Sequence, residues 1–245
     1  MDTPEMVNWR QFTLDSVQAA MFTPDHSTFV GGRVVATIIR QFGEQFDGEM
    51  QVLPSAANLP PEIPRVVLQN SDKSKRIEAG PGRFNFIWNR NGPDVQVTLD
   101  QVLSQCIDVL EYYASETRTH VGRLGLVLGR SCAIDNPAQT LIRRFCTPES
   151  QREPFNRSAT FEIHNHKEYL PAYEGVEYKI NSWVRCQCGV IESDNRSAIL
   201  VIQDLNTLAA DVEQHRFDVE KIRCFFSMAS NEAETIIKKY FPERE

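Results

Sequence analysis

His164-Asn165-His166 and Cys186-Gln187-Cys188 are the two places in this chain where residue type and spacing could assemble a metal site. On a strand, His-x-His turns both imidazoles to one face and Cys-x-Cys does the same for two thiols. On neighbouring strands such pairs supply the four soft ligands of a tetrahedral zinc. Side-chain parity argues against that pairing. Cys186 and Cys188 run in phase with Val184 and Val190, the apolar side of their segment. His164 and His166 run in phase with Thr160 and Glu162, while Phe161 and Ile163 take the apolar side. The two pairs are therefore expected on opposite sides of one sheet, the cysteines as small core hydrophobes and the histidines in solvent. No metal or other cofactor is expected. The tripeptide also spells the name of the HNH nucleases, whose residues are dispersed over a ββα-metal motif that no segment here supplies.

Other chemical candidates are weaker. Gly31-Gly32-Arg33 near a helix start could hold an anion, but lacks the spacing of a P-loop or a dinucleotide fingerprint, and Gly-Gly in a first turn also serves close packing. No Gly-x-Ser-x-Gly elbow accompanies His120 or His215, which lie beside helix ends in polar company. Glu111 and Glu116 read as solvent-facing helix residues. The chain is accordingly not expected to be an enzyme. Basic residues gather at Lys73, Lys75 and Arg76, at Arg143-Arg144 and at Lys238-Lys239. With Phe84, Trp88 and Tyr112, the first two groups are the candidate nucleic-acid contacts of an RNA-stacking sheet face. Phe84, Phe86 and Trp88 share one side, however, and their bulk serves a helix-covered core equally well.

The elements that would position these residues follow from hydrophobic period. Gln11–Phe22 alternates as a strand, with an irregularity near Asp15-Ser16. Val30, Val34, Val35, Ile38, Ile39, Phe42 and Phe46 make a helical stripe, with Thr37 on the other side. Glu49–Leu53 is a short strand, Pro54–Pro64 a proline-rich connection, and Arg65–Gln69 with Lys75–Ala79 a hairpin around a polar turn. Arg83–Asn89 is a strand, and Thr98 with Gln101 forms a capping box before the helical stripe from Leu99 to Tyr113. The cycle then recurs: a strand over Gly122–Cys132, a helix starting at Asn136-Pro137, strands over Phe155–His166, Val176–Glu192 and Ser197–Leu205, and a helix over Phe217–Tyr240. An approximate β-α-β-β-β-α duplication results. The expected fold is α+β, with residues 1–118 and 119–245 as related halves, each an antiparallel sheet packed on helices and together one compact unit, with strands continuing across a pseudo-twofold.

Composition limits function further. The 245 residues carry 33 acidic and 26 basic side chains, a formal charge of -7, which argues against a general nucleic-acid binder. Met1–Arg10 has no apolar run of a leader, and no stretch reaches the roughly 20 apolar residues of a membrane span. Six cysteines in a chain of this length are not a disulfide scaffold. Together these make the cytoplasm the expected location.

Three segments carry a family resemblance: Pro64–Leu68 with its polar turn, Arg83-Phe84-Asn85-Phe86-Ile87-Trp88, and the terminal block Ile199–Phe241. The chain resembles a sporadically distributed, largely uncharacterised bacterial family whose strand motif reads roughly drF-x-x-x-W, followed by a C-terminal strand containing Asp and a long helix containing Phe. Here Asn89–Pro93 stands where that family has Tyr-Pro. The resemblance carries over Phe84, Trp88 and Asp204 as core or packing residues and supplies no catalytic ones. Its patchy distribution implies accessory genes such as antiviral-defence or toxin-antitoxin loci. The leading expectation is a non-catalytic protein-interaction subunit, chaperone-like or antitoxin-like, holding a protein partner on its sheet or between its halves and able to form a homodimer through a sheet edge. The alternative is a nucleic-acid-binding subunit of such a complex; the second alternative is a metal-dependent nuclease or hydrolase using His164 and His166.

Overall fold

A computed structural model describes residues 7–53, 59–173, 175–191 and 195–243. Parts of the N-terminal stretch, the proline-rich connection and the turn after Ile191 named above lie outside them. Among the described residues, nine strands form one antiparallel sheet and a two-stranded ribbon stands apart. In chain order the strands are β1 (Thr13–Phe22), β2 (Met50–Val52), β3 (Val66–Gln69), β4 (Lys75–Gly80), β5 (Arg83–Asn89), β6 (Arg123–Ala133), β7 (Glu162–Tyr169), β8 (Ala172–Tyr173), β9 (Val176–Glu177), β10 (Ile180–Ile191) and β11 (Arg196–Thr207). The helices are α1 (Gly31–Phe42), α2 (Leu99–Thr117), α3 (Pro137–Phe145), α4 (Pro148–Arg152) and α5 (Val219–Tyr240).

The sheet order β2-β3-β4-β5-β1-β6-β11-β10-β7 displays the duplication. The first strand of each cycle, β1 and β6, lies at the centre, and the later strands of each cycle fan outward from it. The two cycles meet in the β1–β6 ladder, where Ala19 faces Leu126 and a bulge interrupts the register between Leu14 and Ser16. The fold is α+β, and the sheet runs unbroken through both cycles.

One side of the sheet is dry. Val17, Ala19 and Met21 of β1, Phe84, Phe86 and Trp88 of β5, and Leu124, Leu126 and Leu128 of β6 all point to it. Alternation puts every second residue there, and helices with a single apolar stripe cover it. α1 packs on β3 and β4, α2 on β1 and β5, α5 on β6 and β11, and α3 on β10 and β11. α2 and α5 meet over the centre of the sheet. The Thr98–Gln101 capping box at the start of α2 is present in both directions, at 3.3 and 2.9 Å. No helix among the described residues is long and apolar enough to cross a membrane.

Several expectations are corrected. The helix stripe of α1 is rotated: Thr37 is buried, whereas Val30 and Ile39 are exposed. Phe155–Phe161 is not part of a strand, because Phe155 and Phe161 fold onto one another with ring centroids 5.5 Å apart. The segment from Val176 breaks at Tyr178, whose buried ring seats on Phe225 of α5 and leaves β9 and β10 as separate strands. Glu111 is not solvent-facing: it is 9% exposed and grips Arg223 of α5 through both carboxylate oxygens.

Candidate functional site

Among the described residues no α-helix packs on the other side of the sheet, and the register fixes what it presents. One row across the strands reads Gly80, Arg83, Phe22, Arg123. The next reads Val67, Glu78, Asn85, Ala20, Gly125, Asn206, Asn181, Glu168. A third reads Gln69, Arg76, Ile87, Gln18, Val127, Asp204, Trp183, His166, and a fourth Asn89, Ser16, Gly129, Ile202, Arg185, His164. These rows mix polar, charged and apolar side chains, where the helix-covered side is mostly hydrocarbon.

Two features stand out within it. Towards β7, Trp183 is 42% exposed and stacks on His166, with ring centroids 4.1 Å apart and planes 13° from parallel. His166 is held by Asn181, and Arg185 donates to His164 while pairing with Glu162 at 3.1 Å. Trp183, His164, Arg185, Ile202 and Asp204 line a hollow of about 330 Å³. Asp204 accepts a hydrogen bond from Asn206, and burial pushes its carboxyl above the ordinary aspartate range. Asn206 itself lies across the bare Cα of Gly125, where any Cβ would strike its side chain.

At one end of the central strands, Arg83 and Arg123 flank Phe22 as direct cross-strand neighbours. Their guanidiniums sit 5.0 and 4.5 Å from the ring centroid. Arg83 Nε donates to Asn85 Oδ1 at 2.5 Å, and Arg123 Nε to the Thr207 carbonyl at 3.2 Å.

No family model matches the chain and no curated protein matches it. Among solved structures it is similar to the di-domain ARO/CYC StfQ from the steffimycin biosynthetic pathway, over 92% of this chain and 97% of that one. The identity is 11% and the TM-score 0.19, so nothing is transferred from it.

The residues singled out in the sequence are dispersed. Lys73 forms the β3–β4 turn with a left-handed φ of 63°. Lys75 points to the helix side opposite Trp88, and Arg76 lies on the uncovered side paired with Glu78 at 2.6 Å. Arg143 and Arg144 end α3 in the other cycle, where Arg144 donates to the Tyr240 carbonyl at 2.9 Å. These two basic groups belong to opposite wings of the sheet, separated by about 24 Å of strand spacing. Cys186 is fully buried on the helix side while His164 and His166 face the uncovered side, as parity requires. No group of three or more metal-ligating side chains forms among the described residues. Gly31 packs against Val66, and Arg33 reaches the Glu116 carbonyl at 3.2 Å. His120 Nε2 is 2.7 Å from the His215 carbonyl, and Glu116 pairs with Arg40. Phe84 and Trp88 are core, but Asp204 is not: its strand parity turns it to the uncovered side. Cross-strand register, not local sequence, makes Arg83, Phe22 and Arg123 neighbours at one end of the central strands and sets Trp183 against His166 towards β7.

Proposed function

We propose that the chain works by binding, seating a protein partner on the uncovered face of its sheet. The observation that supports this is the Trp183 shelf. A half-exposed tryptophan braced by His166, beside Ile202 and a 330 Å³ hollow and rimmed by Arg185, Glu162 and His164, has the make-up of an interface anchor. Trp and Arg dominate the energetically important positions of protein interfaces, with charged residues forming the rim around an apolar centre. A holding role of the chaperone-like or antitoxin-like kind, in a multicomponent bacterial system, is what the family resemblance implies.

The test places a photo-crosslinking amino acid at position 183 or, as a control on the helix layer, at Ser104, and irradiates native cells. A discrete protein adduct from position 183 that is absent from position 104 is expected. Trp183→Ala should weaken capture of that protein by about 30-fold, the effect of losing a hot spot of about 2 kcal/mol. Adducts from neither position, or equally from both, would overturn the reading.

A further inference from the structure

We propose that Arg83 and Arg123, on either side of Phe22, form an oxyanion site that takes carboxylate or phosphate groups at one end of the uncovered face. Three observations carry it. First, the register puts the two arginines on the strands flanking β1, so their Cα atoms stand roughly 10 Å apart and both side chains lean on one ring. Second, each guanidinium is anchored through Nε alone, to Asn85 and to the Thr207 carbonyl, which fixes its plane and leaves the outer nitrogens without a partner among the described residues. Third, neither arginine forms an ion pair within 4 Å among the described residues, whereas Arg76, Arg90, Arg130, Arg185 and Arg223 all do.

Two cations held side by side and half-buried repel one another and lose hydration, and an oxyanion docking across them relieves both penalties. The direction of their titration agrees, since burial makes the charged form of each less favourable than in water. Glu78, Asp204 and Glu62 attract Arg83, and Asp204 attracts Arg123, but none comes within ion-pair distance of either: Glu78 is paired with Arg76, and Asp204 is engaged by Asn206. Guanidinium forks match the planar carboxylate and the tetrahedral phosphate alike, so the chemistry is shared by two sources, a free phosphorylated small molecule and an acidic segment of a bound protein.

The experiment titrates the full chain with inorganic pyrophosphate and, separately, with a tetraglutamate peptide, followed by calorimetry. Saturable binding is expected, weakened about tenfold or more by Arg83→Gln and by Arg123→Gln, and unchanged by Arg143→Gln on α3. Arg123→Lys, which keeps the charge but loses the fork, should bind more weakly than wild type while melting as it does. Tighter binding of pyrophosphate assigns the site to a phosphorylated small molecule, and tighter binding of tetraglutamate to an acidic protein segment. No saturable binding of either probe at millimolar concentration, or binding that folded Arg83 and Arg123 variants retain, would overturn the proposal. The titration needs no protein partner, so its failure and that of the Trp183 reading are distinguishable.

Discussion

Arg130 offers the sharpest test of how the helix layer is fastened to the sheet. It sits on the helix side of β6, its side chain 8% exposed, and pairs with Glu234 of α5 at 2.5 Å. Its Nε is buried without a partner, so Glu234 is its main compensation among the described residues. Glu234→Gln removes the countercharge and leaves a guanidinium stranded between sheet and helix. Breaking a fully buried pair costs about 3–5 kcal/mol. Glu234 is 32% exposed, so water replaces part of what is lost, and the expected cost falls to about 2–3 kcal/mol. For a chain of this size that is a drop of roughly 5–10 °C in Tm. Arg130→Met with Glu234→Leu removes both charges and fills the space with hydrocarbon, and should lie within about 1 kcal/mol of the parent. Urea denaturation of the parent, Arg130→Met, Glu234→Leu and the double variant gives the cycle. A coupling below about 0.5 kcal/mol, or a double variant less stable than Glu234→Gln, would refute the reasoning.

Three further outcomes are expected. Phe86→Ala, at a fully buried position where the ring meets Phe46 edge-on, should cost about 3–5 kcal/mol in chemical denaturation, and a cost under 1 kcal/mol would contradict the core assignment. Because burial raises the Asp204 carboxyl in the folded state, folding is opposed at pH values above that raised pKa and the penalty fades below the unfolded aspartate value. Asp204→Asn should therefore stabilise the protein at neutral pH and converge on the parent in acid; the opposite trend in pH-dependent melts would show the carboxylate to be stabilising. Burial pushes the thiols of Cys132 up to about 11 and Cys186 up to about 12, and that of Cys106 higher still, so all three should resist alkylation until the chain unfolds. Mass spectrometry showing rapid native-state labelling of Cys106 would reverse that view.

Much of this architecture is written locally. The alternation Phe84, Phe86, Trp88 needs only the period of a strand, and Thr98 with Gln101 needs only four adjacent residues, so both appear in the structure as the sequence predicts. Features decided at a distance were illegible. Glu111 looks like any helix glutamate until Arg223, 112 residues later, comes alongside. The segment from Phe155 to Phe161 alternates well enough for a strand, but its two aromatic rings are satisfied by each other. The candidate sites follow the same rule. The opposite faces of His164 and Cys186 were readable from parity alone, whereas the Arg83–Phe22–Arg123 row depends on registers that join β1 to strands more than 60 and 100 residues away. The only local hint was that each arginine opens a strand immediately before a core residue, Phe84 or Leu124.

The central ladder has a consequence for synthesis. β1 can pair with β5 once the first cycle has emerged, but its other edge finds no mate until β6 follows α2 out of the ribosome. During that interval a ten-residue strand carries unpaired amides and carbonyls along one side. A chain halted near Arg118 would retain that sticky edge indefinitely, and a second halted copy would offer the matching one. The second cycle thus acts as an intramolecular cap, supplying from the same polypeptide the strand that a truncated product would seek from a neighbour.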